Sequence, residues 1–547
     1  MEPTDLVFDL CRHFVADHSY NLEPALSERI LGYIRSRSLQ NLCEISSSFD
    51  PASHDHNTLR VLLQIEAFFK KNSIFSQEKC AEEALRSFRE SEKICGETNA
   101  RLDELDWNNL PIKLLKMRRF ITLCLGNFES FMDRIPYLCK ATNGATASRS
   151  RRLSSYVNRV SLRPYATLRS HIYLETLGRY WGYVCKPKKK DFNRIELVPK
   201  NWKTHRTIAC EPEGNCFLQL AFDMYCKQKL KSFASIDLSD QSRNQMLAKK
   251  ASEDCSLATV DLKAASDRLS KNVVHLLFDD KWSRFFFDLR SPIGKLPDGS
   301  FVNYQKLSSM GNGFTFAIET LVFAAACWAV GSKEYSVYGD DIIIESERYN
   351  DLSELLAYLG FEVNIEKSHA SGFYRESCGV HYYNGFSVTP LFIRRVSTRQ
   401  DLCKILNDVL IHTPYEGHLW KYASRIIREY NLPFVPHNDN PMSGVYLHPF
   451  IAYRKKLIST RKKCGPWQPM FKALVQKSII HRCFDSRSLF LWYLAKAMHP
   501  NVDYESSRYS LGTDKYRSKW VHYFPVVAGG PDQLYCWSEY MIRPERG

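Results

Sequence analysis

The sequence predicts a central mixed α/β domain between two helical flanks. From Leu257 to about Arg395, short β-prone runs (SLATVDL, YSVYGDDIII, FEVNIEKS, FSVTPLFIRR) alternate with longer helical ones (SDRLSKNVVHLLF, FTFAIETLVFAAACWAV, DLSELLAYLG). Ahead of them, NTLRVLLQIEAFFKK and EKCAEEALRSFRESEKI repeat apolar residues at three- and four-residue spacing, which predicts helices. Beyond Asp401 the chain again reads as largely helical. It is broken there by PFVPHNDNPMSG and by a basic-aromatic patch, YRKKLISTRKKCGPWQPMFK, and it ends in an irregular Tyr-rich tail.

Composition narrows the classes. At 547 residues the chain is long enough for about three or four domain-sized units or one multi-lobed enzyme. With 44% hydrophobic residues it can bury a large core. Its formal net charge of +15 favours a polyanionic partner, nucleic acid first. The 17 cysteines make no Cys-x-x-Cys pair and no zinc spacing, and reduced thiols in a cytosol fit them best. His54-Asp55-His56 lies in a polar stretch and reads as solvated. The N-terminus MEPTDLVFDLCRHF lacks the features of a signal peptide. LVFAAACWAV, the longest apolar run, is about half a membrane span and reads as a buried helix, so no membrane partner is expected.

Two basic pieces stand apart. Ala145 to Ser170 has many Arg and Ser residues and no acid. Lys186 to Arg206 carries eight basic and two acidic residues. Either could be a solvated face or a surface that meets phosphate. Between the central strands and helices, SPIGKLPDGSFVNY has turn signals at Ile293-Gly294 and Asp298-Gly299, which suggest a small hairpin.

Chemistry concentrates at two acidic sites. SLATVDLKAASD ends an apolar strand in Asp261, with Asp267 six residues on. Tyr338-Gly339-Asp340-Asp341 interrupts an apolar hairpin 79 residues after Asp261. Neighbouring strands could bring these carboxylates to one point. Alone they would raise each other's pKa and resist burial, whereas hard oxygen ligands of this kind suit Mg²⁺. Two such ions about 4 Å apart are the arrangement for in-line displacement at phosphorus. The bland alternative is a solvated hairpin turn, and Ser266 or Asp267 could equally cap the helix that follows.

The ordered motifs LVPKNWKTHRTIACEP, IDLSDQSRNQ, LATVDLKAASD, LSSMGNGFTF, VYGDD and FYRESCG make the chain resemble the replicase subunits of the small positive-strand RNA phages, most closely from about Asp191 to Arg395. The resemblance implies an α+β right-hand polymerase with fingers, palm and thumb, whose antiparallel palm sheet is flanked by helices. Residues 1–190 would form a helical N-terminal region and fingers, 191–250 the basic part of the fingers, 251–400 the palm, and 401–547 the thumb and C-terminal region. It implies template-directed RNA synthesis from ribonucleoside triphosphates, with Asp261, Asp340 and Asp341 as catalytic metal ligands for two Mg²⁺ ions, Mn²⁺ being able to substitute.

The same resemblance makes Lys367 a general acid to pyrophosphate. It assigns Lys200, Lys203 and Arg206 to the channel that admits the nucleotide, and Asp267 to sensing the ribose 2′-hydroxyl. Ser309, Gly311, Asn312 and Thr315 belong to a flexible loop beside template and sugar. In the wider polymerase pattern an Asn follows that Thr by four residues; here Glu319 stands there, and Asn312 is the candidate to complete ribose recognition. Gly339 should leave room for the primer end, and Tyr338 should pack beneath the turn. FYRESCG should support the junction of palm and thumb, with Cys378 inert. Expected partners are a single-stranded RNA template, host elongation factors Tu and Ts, and a host ribosomal RNA-binding protein, in the cytoplasm of an infected bacterium. The rivals are a reverse transcriptase, which would prefer deoxynucleotides, and a non-catalytic RNA-binding protein of the same shape.

Overall fold

The computed structural model describes residues 2–76, 78–141, 144–148, 163–411, 413, 417–436, 440–447, 458–460, 469–476 and 516–522. Most of the basic stretch 145–170, most of the patch 453–472 and most of the Tyr-rich tail therefore lie outside the described residues. Two compact units are present. One gathers Met1–Ser19, Arg395–Ser478 and Gly512–Gly547, and the other Tyr20–Arg394 with Ile479–Leu511.

In the first unit, α1 (Pro3–His18) lies against the helix His418–Glu429. The Asp17 carboxylate accepts the free N–H groups of that helix at His418 (2.6 Å) and Leu419 (2.9 Å), a favourable place for a negative charge. Strands Ile458–Thr460, Pro469–Gln476 and Tyr516–His522 form an antiparallel sheet in a region expected to be helical or irregular. The last two pair in register over seven residues drawn from opposite sides of a 39-residue gap, and such long-range pairing leaves no local periodicity to read.

The second unit opens with helices α2 (Pro24–Arg35), α3 (Leu39–Cys43), α4 (His56–Phe69), α5 (Lys79–Asp103), α6 (Ile112–Leu125) and α7 (Phe128–Leu138). The helical spacing expected over Asn57 and Glu78 onward is found. Asp55 caps α4, accepting from Asn57 N and Thr58 N, and α5 buries Cys80, Ala84, Phe88, Cys95 and Leu102 along one side. The helix Thr315–Ala329, which contains most of LVFAAACWAV, is buried almost all round. With α6, α7 and Glu213–Ala234 it forms the main core. Among the described residues no helix is long and apolar enough to cross a membrane.

Strands β1 (Tyr165–Ala166) and β2 (Lys188–Lys189) form a short parallel pair. A four-stranded sheet runs in the order β4 (His205–Cys210), β3 (Phe192–Pro199), β6 (Ile293–Lys295), β7 (Phe301–Asn303). The β6–β7 hairpin turns at Asp298-Gly299 as expected, but Ile293-Gly294 belongs to β6 itself. The three-stranded sheet β5 (Leu257–Val260), β9 (Asp341–Glu345), β8 (Tyr335–Tyr338) is wholly antiparallel. Behind it comes β10 (Tyr374–Ser377), β11 (Val380–Tyr383) and β12 (Phe386–Ser387), also antiparallel. The observed architecture is α+β, with an antiparallel central sheet and helices on its flanks.

FYRESCG has a definite task in this arrangement. Arg375 is fully buried; its Nε donates to Leu257 O (2.8 Å) and its Nη1 to Gly372 O and Tyr374 O (both 2.7 Å). One guanidinium thus joins the β10 hairpin to the start of β5. Replacing Arg375 by Leu leaves these buried carbonyls unpaired and should cost about 3 kcal/mol, read as a lower urea midpoint. An unchanged midpoint would remove Arg375 from this role.

Candidate active site

The register of two strand pairs builds the site. Val260 faces Ile342 across β5–β9, and Tyr338 faces Asp341 across β8–β9. Asp261, one residue past β5, therefore lies beside the turn that carries Gly339, Asp340 and Asp341. The sequence places these acids 79 residues apart, and the sheet brings them together. Burial raises the Asp261 pKa; Lys367 opposes that rise and Asp340 adds to it. Asp341 is raised from 3.8 to about 7, by burial first and then by the charge of Asp340, while a hydrogen bond from the Cys378 backbone works the other way. The Cys378 thiol is itself pushed up to about 12 by burial, and then by Asp341, so it remains an unreactive thiol.

Gly339 is required by what lies under the turn. Its φ is +65°, and a Cβ there would come 2.4 Å from Phe316 Cε2. Its N–H donates to Thr320 Oγ1 at 3.0 Å. Tyr338 packs edge-on against the same Phe316 ring, 5.1 Å between centres, which is the packing role expected of it.

FEVNIEKS does not continue as a strand. It touches the chain just beyond β5 through a single bridge, Leu262 to Val363, and then turns. Asn364 accounts for the turn: its N–H donates to Asp261 O (2.8 Å), its Nδ2 to Asp261 Oδ2 (3.0 Å), and its own carbonyl accepts from Lys367 N (3.0 Å). The turn sets Lys367 Nζ 3.6 Å from Asp261 Oδ2. Ser368 Oγ accepts the Asp261 N–H at 3.0 Å. Asn364 and Ser368 have no signature in the sequence.

The turn and flank of the β3–β4 hairpin supply positive charge. Lys200 is exposed as a residue, yet partial desolvation of its ammonium, then Lys367 and Arg206, lower its pKa, while Asp261 and Asp340 pull the other way. Those five groups share one electrostatic neighbourhood. Lys203 is turned to another partner, its Nζ 2.6 Å from Glu44 Oε1.

Asp267 does not cap the next helix; Ser270 does, accepting from Val273 N. Instead Asp267 Oδ1 lies 2.7 Å from Lys306 Nζ, a fully buried ammonium also 3.0 Å from Glu92 Oε1. The loop expected to be flexible is braced on every side. Asn312 Oδ1 accepts from Ser309 N (3.0 Å), Asn312 Nδ2 donates to Glu211 Oε1 (3.1 Å), and Thr315 Oγ1 donates to Ser309 O (3.0 Å). Gly311, at φ +110°, sits where a Cβ would be 2.5 Å from Ala209 O, so its glycine serves close backbone approach to β4. The Asn312 amide is thus spent on the loop and on Glu211. Glu211 also accepts from Asn193 Nδ2 (2.7 Å) and Ser291 Oγ (2.8 Å). Glu319, at the position of the usual Asn, is buried, and its pKa stands well above the ordinary range through burial, then Asp340 and Asp267.

Among the described residues no three His, Cys, Asp or Glu side chains already form a metal cage. The donor chemistry nonetheless fits a hard divalent cation. Asp261 and Asp341 are both raised by burial and by their neighbour Asp340, a strain that a cation would relieve.

A pH test follows from Asp341. Between 3.8 and about 7 its carboxyl is protonated in the folded chain and ionised in the unfolded one. Its contribution to stability is therefore complete below the lower value and lost as pH rises through the upper one. In chelator, the melting midpoint of the wild type minus that of Asp341→Asn should fall across this window and level off above it. Parallel pH courses would contradict the shift.

A family model described as RNA replicase, beta-chain, matches residues 22–430. The RNA-directed RNA polymerase subunit beta of Escherichia virus Qbeta is 36% identical over 397 residues, 68% of this chain and 67% of that one. The corresponding subunit of Enterobacteria phage SP is 36% identical and covers 65% of this chain and 64% of its own length. The RNA-directed RNA polymerase beta chain of Escherichia phage MS2 is 40% identical over 208 residues, 37% of this chain and 38% of its own. Among solved structures, the BmCPV RNA-dependent RNA polymerase at elongation state aligns with TM-score 0.38 and 10% identity, covering 64% of this chain and 35% of that one. The RNA-dependent RNA polymerase of a human picorbirnavirus aligns with TM-score 0.30 and 12% identity, over 40% and 53%. The match over 22–430, on a site of this make-up, settles the family: the chain belongs to the RNA replicase beta-chain family.

Proposed function

We propose that this chain synthesises RNA on a single-stranded RNA template, joining ribonucleoside triphosphates by attack of a 3′-hydroxyl on the α-phosphate with release of pyrophosphate. The observation that carries this reading is the juxtaposition of Asp261 with the Gly339-Asp340-Asp341 turn at the end of an apolar sheet, faced by Lys200, Arg206 and Lys367.

Asp261 and Asp340, with Asp341 in support, are the residues that would hold Mg²⁺, or Mn²⁺ in its place. Bound there, the metal would supply charge for the attacking and leaving oxygens. Lys200 and Arg206 draw the triphosphate and offset charge developing on pyrophosphate. Lys367, 3.6 Å from Asp261, would give up the proton that the leaving pyrophosphate takes. Asp267 reads the ribose, and the braced loop of Ser309, Gly311, Asn312 and Thr315 forms a fixed wall for template and sugar. The net charge of +15 supports electrostatic RNA affinity that weakens with salt. Host elongation factors Tu and Ts, and a host ribosomal RNA-binding protein, belong to this proposal as partners, and the cytoplasm of an infected bacterium as the place of action.

The test is template-directed nucleotide incorporation with Mg²⁺ and the host factors supplied. Asp340→Asn should lower incorporation by about 10³-fold or more while RNA binding is retained. Equal activity in the variant would overturn the assignment.

A further inference from the structure

Behind Asp267 lies a set of contacts that the proposed chemistry does not use. The Lys306 side chain is 0% exposed, 2.7 Å from Asp267 Oδ1 and 3.0 Å from Glu92 Oε1. Its Nζ also stands 3.9 Å from the centre of the Phe88 ring. Phe88 and Glu92 lie one turn apart on α5, and the same face of that helix continues the contact. Glu92 Oε2 accepts from Gln305 N (2.6 Å), Cys95 Sγ donates to Asp267 O (3.5 Å), and Asn99 Nδ2 donates to Gln305 O (2.8 Å). Asn99 Oδ1 then accepts from Asn272 N (2.9 Å), beyond the Asp267 turn. One helix face thus grips the Asp267 carbonyl and the backbone at Asn272 and Gln305, and one lysine grips the Asp267 carboxylate.

Filling space alone would not call for a lysine. Burial works against its charge, and only the two carboxylates keep the ammonium protonated, with its pKa raised. An apolar side chain of similar volume would pack there without that desolvation. What the ammonium adds is direction: a short ion pair to one named oxygen of Asp267, backed by a second carboxylate and an aromatic face that keep the ammonium from turning elsewhere.

We propose that Lys306 is a positioning residue for nucleotide selection. Held by Glu92 and Phe88 of α5, it fixes the Asp267 carboxylate in the orientation that meets the ribose 2′-hydroxyl. This rests on the reading of Asp267 as the ribose sensor. Helix α5 is then the support for sugar discrimination.

The experiment measures kcat/KM for a ribonucleoside triphosphate and for its 2′-deoxy counterpart on one RNA template, using the full chain with the host factors supplied. Asp267→Asn serves as the reference. Lys306→Met should lower the ribo-to-deoxy ratio about tenfold and Glu92→Gln about threefold. In the Asp267→Asn background, Lys306→Met should leave the ratio where Asp267→Asn alone puts it. A purely structural role would slow both nucleotides alike. An unchanged ratio in Lys306→Met and Glu92→Gln, beside a lowered one in Asp267→Asn, overturns the proposal and leaves the ribose sensor standing. An unchanged ratio in Asp267→Asn overturns the sensor and the proposal with it. Should Lys306→Met fail to fold, Glu92→Gln, which keeps the Lys306–Asp267 pair, decides alone.

Discussion

The antiparallel pairing of β5 with β9 is the constraint from which the site follows. Side chains alternate along a strand, so a slip of one residue would turn Asp261 away from the Asp340-Asp341 turn and drive Ile342 or Ile344 out of the core. The register is held from several directions. His369 exchanges two backbone hydrogen bonds with Thr259 (3.0 and 2.8 Å) on the free edge of β5, Arg375 holds Leu257, and Asn364 and Ser368 hold the backbone of Asp261. Apolar burial supplies the driving force, and these polar contacts choose one arrangement among the many that burial alone would allow.

That choice places like charges together in a partly buried spot, and the surroundings are built around this cost. Positive groups stand on the open side: Lys367 at Asp261, and Lys200 with Arg206 on the neighbouring hairpin. On the closed side two buried charged groups are enclosed by partners. Lys306 lies between two carboxylates, and Glu211 is wrapped by amide and hydroxyl donors. A half-satisfied network of this kind would be worse than an apolar core, which explains why Glu211 draws partners from Asn193, Ser291 and Asn312 in three separate segments. The same network braces the loop around Asn312.

Much of this was legible in the sequence. Apolar strands ending in acids predicted where Asp261 and Asp340 would meet, and α-helical spacing predicted α4, α5 and the buried helix after Thr315. What stayed hidden depended on partners far away in the chain. FEVNIEKS has a β-like composition, yet Asn364 bonds to Asp261 and folds the segment into a turn, because tertiary contacts outweigh local propensity. Asp267 has the local character of a cap, but an ammonium 39 residues away claims it and Ser270 takes the cap. Lys203 looked equivalent to Lys200 until Glu44 engaged it. A lone lysine or glutamate carries no periodic signal, so Lys306 and Glu211 could be recognised only once their neighbours were known.

The distance along the chain between β5 and its partner also bears on how the protein comes to exist. β5 ends at Val260, and its partner strand is complete only at Glu345. At roughly 5–20 residues per second, synthesis leaves about 4–17 s in which an apolar strand has emerged without its mate. Arg375, which holds Leu257, arrives later still. During that interval the nascent chain exposes an unpaired edge to whatever is nearby. The site built on β5 and β9 is therefore among the last parts of this unit to form, and the ribosome's pace sets how long its central strand must wait.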